Sequence, residues 1–135
     1  MVAGRIGSYR DLVAWQKAMD LAVEVYRATE DWPRREIYAL TDQVRRAVAS
    51  VPANIAEGHG RTGTKEFLHH LSVASGSLHE AETHVLLAQR LQYLDERSCD
   101  LLLDQAAEVG RLLGGLIRRL RPPSAPTRRD PASDA

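Results

Sequence analysis

The chain has 135 residues, 44% hydrophobic and 27% charged, enough for one domain with a core of its own. Eighteen basic and eighteen acidic side chains cancel to a formal charge of zero, which excludes a global field that gathers nucleic acid or membrane, so any such binding must come from a local patch. The lone cysteine, Cys99, excludes an internal disulfide and a cysteine zinc cage, and no stretch approaches the roughly 18 apolar residues of a membrane span.

Sixteen of the basic residues are arginine and two are lysine. Arginine is the better residue for two-pronged phosphate contacts, although a GC-rich genome alone produces the same bias. Met1–Ser8 contains no apolar run of signal-peptide length, so the chain is expected to be cytoplasmic. Residues 1–8 read as a flexible N-terminus, 9–121 as the folded unit, and 122–135, rich in Pro, Ser, Arg and Asp, as a disordered tail.

The first helix is predicted over Asp11–Glu30, with Ser8 and Asp11 spaced as in a capping box. It carries two apolar stripes at helical spacing: Leu12, Trp15, Met19, Ala22, Val23 and Tyr26, and beside them Ala14, Ala18, Leu21 and Val25. Pro33 closes the segment. The second helix is predicted within Glu36–Gly58, from Ile37, Leu40, Val44, Val48, Val51 and Ile55, with Thr41 as an alternative N-cap. Pro52 falls inside it. A proline there removes one backbone donor and crowds the carbonyl of Val48, so a kink is expected, not a stop.

The third helix is predicted over Thr64–Gln92, with a seven-residue rhythm through Leu71, Leu78 and Val85. Asp95 is placed to cap the fourth, which runs to about Arg121. Along it Cys99, Leu102, Ala106, Val109, Leu113, Leu116 and Leu120 alternate steps of three and four, a coiled-coil-like seam. A second stripe, Leu103, Ala107, Gly110, Gly114 and Ile117, lies alongside. Pro122 and Pro123 end it.

Four long helices with short connections predict an all-α, antiparallel up-down four-helix bundle. A lone bundle needs one apolar stripe per helix, whereas the first and last helices carry two. The surplus predicts self-association, with Ala14, Ala18, Leu21, Val25, Leu103, Ala107, Gly110, Gly114 and Ile117 as the expected interface.

Several local strings occur in a recognisable order: Trp15-Gln16-Lys17-Ala18, Trp32-Pro33, Leu40-Thr41-Asp42-Gln43, Arg45-Arg46-Ala47, Lys65-Glu66-Phe67, Ala74-Ser75-Gly76-Ser77-Leu78 and, most specific, Ser50-Val51-Pro52-Ala53-Asn54-Ile55-Ala56-Glu57-Gly58. Together these resemble the four-helix bundle proteins encoded by intervening sequences in bacterial 23S rRNA genes, a family also labelled ribosomal-protein-like. The resemblance implies an up-down bundle, a homopentamer, and kinship with the accessory variability determinant proteins of diversity-generating retroelements, pentamers that bind nucleic acid and a reverse transcriptase. Ala39 stands where that family usually has glycine, and Trp32 where it has phenylalanine. The zero net charge departs from the strongly basic accessory proteins.

Within the motif, Ser50, Pro52, Asn54, Glu57 and Gly58 read as a structural unit around the proline, or as a binding lip at one end of an oligomer. Arg45 and Arg46, with Arg61 and Lys65 beyond the turn, are the expected nucleic-acid contacts, since a ring would repeat them into a basic girdle for RNA or DNA phosphates. No aromatic platform accompanies them, so base stacking is not expected. Glu66 and His69 have a Glu-x-x-His spacing but no second copy, and His79 and His84 are five apart where zinc-protease helices need four, so no metal is expected and Glu80 with His84 reads as a surface pair. The chain shows no nucleophile–base pattern, phosphate loop or carboxylate dyad. It is expected to be a non-enzymatic binding protein without cofactor, the alternative being a protein-interaction scaffold with no nucleic-acid role.

Overall fold

The computed structural model describes residues 7–122; of the start expected over 1–8 and the tail expected over 122–135, residues 1–6 and 123–135 lie outside the described residues. Among them are four α-helices and no strand: α1 (Val13–Ala28), α2 (Leu40–His59), α3 (Thr64–Arg90) and α4 (Glu96–Leu120). The 27 residues of α3 span about 40 Å at roughly 1.5 Å per residue. None of the four is long and apolar enough to cross a membrane.

Helix ends follow local chemistry. Ser8 caps a short 3₁₀ turn over Tyr9–Asp11, accepting from the Arg10 N–H at 3.1 Å; among the described residues Asp11 makes no return bond, so the expected capping box is replaced by this single cap, and α1 starts after Leu12. A second 3₁₀ turn, Arg34–Glu36, precedes α2. Ile37 therefore lies outside α2 and is exposed, a correction to the expected stripe. The α2 start is held by the Glu36 carboxylate, which accepts from the Leu40 N–H at 3.2 Å. Helix α2 runs through Pro52 without stopping. Gln92, at φ 66°, turns the chain out of α3 in the left-handed region while the Tyr93 N–H returns to the Ala88 carbonyl. Asp95 caps α4 as expected, accepting from the Ser98 N–H at 2.7 Å. That bond holds its carboxyl below the usual aspartate range.

Each helix packs on its two neighbours in a ring, α1 on α2 and α4, α3 on α2 and α4; the diagonal pairs make no close approach among the described residues. The core is one cluster. Val44, Val48, Val51 and Ile55 of α2 meet Leu71, Ala74 and Leu78 of α3 and Val109 and Leu113 of α4. Each large side chain so enclosed contributes about 1.5–3 kcal/mol relative to exposure. The predicted α4 seam is buried from Cys99 to Leu116. Burial pushes the Cys99 thiol pKa up, helped by Asp100 and Glu96, which leaves it an inert core residue.

Candidate functional site

The Ser50–Gly58 motif builds the seam between α2 and α3. The Asn54 amide donates to the Ser50 carbonyl and to Ser50 Oγ, both at 2.9 Å. Its oxygen faces His70 Nδ1 at 3.1 Å, so that ring nitrogen carries the hydrogen. Ser50 Oγ, already accepting from Asn54, sits 2.9 Å from Ser77 Oγ. The result is a polar relay, Ser77–Ser50–Asn54–His70, stitched across two helices. One turn on, a Cβ at Gly58 would stand 2.7 Å from His70 Cβ and 3.0 Å from the Phe67 ring, so only glycine allows this approach. Glu57 leaves the seam and takes Arg61 at 2.8 Å. That hydrogen bond, with the nearby His70, holds the Glu57 carboxyl below the usual carboxylate range.

The four basic residues do not form one cluster. Arg45 and Arg46 lie in the first half of α2, whereas Arg61 and Lys65 lie beyond its far end, some 15 residues or about 22 Å along the axis. Arg45 is committed to the fold. Its Nε donates to Thr29 Oγ1 at 2.8 Å, its Nη2 to the Tyr26 carbonyl at 3.4 Å, and its guanidinium lies 4.9 Å from the Tyr26 ring centroid. It therefore serves the Tyr26 carbonyl near the end of α1. Arg46 pairs with Asp42 at 2.9 Å, and this pair, like Arg61–Glu57, is solvent-exposed. Lys65 is exposed.

The expected interface stripe on α1 is corrected. Ala14, Ala18, Leu21 and Val25 are at most 5% exposed and form the inward face of α1, leaving nothing for a partner to touch. The small Ala14 and Ala18 let the neighbouring helices close over this face. The bulkier stripe turns outward: Met19, Val23 and Tyr26 are exposed, and Trp15 and Ala22 half-buried. Together with Ala49, Pro52, Ala53 and Ala56 of α2 they line an apolar groove of about 600 Å³ between α1 and α2. On α4, Leu103, Gly110, Gly114 and Ile117 are half-buried and Ala107 is exposed. A Cβ at Gly110 would meet Leu78 of α3 at 3.6 Å, which places this stripe along the α3 flank of α4. The sequence reading missed the α2 half of the groove. Its signal was present in the spacing of Ala49, Ala53 and Ala56, small residues on the face opposite the Asn54 relay.

Among the described residues no three His, Cys, Asp or Glu side chains come together as a metal would need. His84 and Glu80 pair at 3.3 Å.

The fold defines an all-helical bundle protein. The chain belongs to the 23S rRNA-intervening sequence protein family, whose description matches residues 10–115. It is also similar to a Bacteroides thetaiotaomicron protein of the S23 ribosomal protein family, of unknown function, whose crystal structure aligns with a TM-score of 0.71 at 22% identity over 78% of this chain and 99% of that one. At that identity the likeness speaks for the fold alone. No curated protein matches the chain.

Proposed function

We propose that the protein is a non-enzymatic, cytoplasmic building block: an antiparallel up-down bundle that assembles into a homopentamer and presents repeated arginines to RNA or DNA backbone. The observation that carries the assembly is the open groove between α1 and α2, where Met19, Val23 and Tyr26 remain exposed beside Ala53 and Ala56. Contiguous apolar surface of this kind marks an interaction site. The subunit number of five follows from the family resemblance. For nucleic acid, the pairs Arg46–Asp42 and Arg61–Glu57 are solvent-exposed and weakly held, so a phosphate can take either arginine at little cost.

The test has two stages. Light scattering gives a multimer for the native chain and single subunits for Val23→Asp; a native chain that stays a single folded subunit at high concentration rejects the assembly. RNA retention is then measured at 50 mM and 200 mM salt for the native chain and for Arg46→Glu with Arg61→Glu. Phosphate binding falls steeply with salt and is lost in the double variant. The second reading, a protein scaffold without nucleic acid, is favoured by the commitment of Arg45 to the α1 end, and predicts no RNA retention at either salt.

A further inference from the structure

Where α1 gives way to α2, a cleft of about 240 Å³ opens beside the bundle end, lined by Thr29, Glu30, Trp32, Arg34, Thr41 and Arg45 among others. Its volume is below the roughly 300–1,000 Å³ of sites for whole metabolites, yet at about 30 Å³ per water it admits one small ion with some of its hydration. Two features of the lining point the same way. Arg34 and Arg45 border one small space, and among the described residues neither has a carboxylate within ion-pair distance. Finally, Arg45 is already clamped by Thr29 and the Tyr26 carbonyl, so its orientation is set before any ligand arrives.

We propose that this cleft is a seat for a phosphoryl oxyanion, held chiefly by Arg34 and Arg45. The chemistry favours phosphoryl over carboxylate. Arg34 stands on the turn and Arg45 and Thr41 on α2, so donors converge on the cleft from separate elements, which suits a tetrahedral group with several oxygens better than a planar group with two. Glu30, on the rim of the same cleft, opposes the anion by charge and so limits its affinity. The seat does not depend on the assembly or on nucleic-acid binding, because free phosphate can occupy it in a single folded chain.

Thermal unfolding of the full chain in increasing inorganic phosphate, against sodium chloride at equal ionic strength, tests this. A ligand that binds only the folded state raises the melting temperature progressively, with the logarithm of its concentration once that exceeds Kd. Arg34→Gln touches no hydrogen bond of the described fold, and it weakens the apparent affinity roughly tenfold or more, the worth of one charge-assisted hydrogen bond. Glu30→Gln strengthens it. The Trp32 indole N–H signal, assigned with Trp15→Phe, moves with phosphate in the native chain and far less in Arg34→Gln. A 5′-phosphorylated oligoribonucleotide compared with its unphosphorylated twin then separates the sources: a gain with the terminal phosphate marks a monoester, equal binding a backbone diester, and response to inorganic phosphate alone a free ion. Stabilisation by phosphate no greater than by chloride, or an Arg34→Gln chain that binds as the native one does, overturns the proposal.

Discussion

Helix α2 has two flanks of opposite character. Towards α3 it offers Ser50, Asn54 and Gly58, polar or minimal residues, and the seam there is closed. Towards α1 it offers Ala49, Pro52, Ala53 and Ala56, and a groove of about 600 Å³ stays open. Ordinary expectation puts polar groups where water is and apolar groups where it is not. The inversion has a physical reading. The polar flank is stitched internally: the Asn54 amide nitrogen has two acceptors on Ser50 and its oxygen has His70. The apolar flank has no such internal solution, and only a covering surface removes it from water.

The sharpest way to break this comparison is to remove one large side chain from each side. Leu71, at 0% exposure on α3 against α2, is expected to cost about 2–5 kcal/mol when changed to alanine. Met19→Ala, in the groove and 39% exposed, is expected to change the stability of a dissociated subunit by no more than about 0.5 kcal/mol. Urea denaturation below the assembly concentration measures both. Equal losses would mean that the groove is part of the subunit core.

Gly58→Ala tests the closed flank more finely. The added methyl meets His70 Cβ, an atom close to the α3 backbone, so α3 must move outward. Overpacking of this kind costs about 1–3 kcal/mol, read as a lower urea midpoint. Gly60→Ala, whose Cβ would have only ordinary contacts at 3.6 Å, is the control and is expected to cost less.

The sequence made the helices legible because their signals are local and redundant. The α4 seam is an unbroken heptad rhythm, and Asp95 caps by a bond to a residue three positions on. The inward face of α1 was not legible. Two stripes share one helix about a third of a turn apart, and periodicity marks both without saying which one the bundle encloses. Bulk suggested Trp15, Met19 and Tyr26; the fold instead closed over Ala14 and Ala18, because small side chains admit the neighbouring helices. Arg45 misled in a similar way. Its charge is visible in sequence, but its engagement by Thr29 and Tyr26, 16 and 19 positions earlier, is not.

The smallest expected effect separates two acidic residues that look alike in sequence. Asp95 and Glu57 both have their carboxyls held below the ordinary range, Asp95 chiefly by a backbone N–H, Glu57 chiefly by Arg61. For each, the folded state prefers the charged carboxylate, so the stabilisation is complete above the unfolded value, about 3.9 for aspartate and 4.3 for glutamate, and is lost as the pH falls through the lower folded value. Below that point both contributions are gone. Salt divides them above it. The Glu57–Arg61 pair is half exposed, and at 1 M salt the screening length shrinks to about 3 Å, comparable with the pair itself, so Glu57→Gln should then match the native urea midpoint at pH 7. The Asp95 cap is a 2.7 Å hydrogen bond to an orphan helix donor, which salt does not replace. Asp95→Ala therefore keeps its deficit at 1 M salt; if the deficit vanishes, attraction to the α4 dipole and to Arg97, and not the cap bond, is what Asp95 supplies.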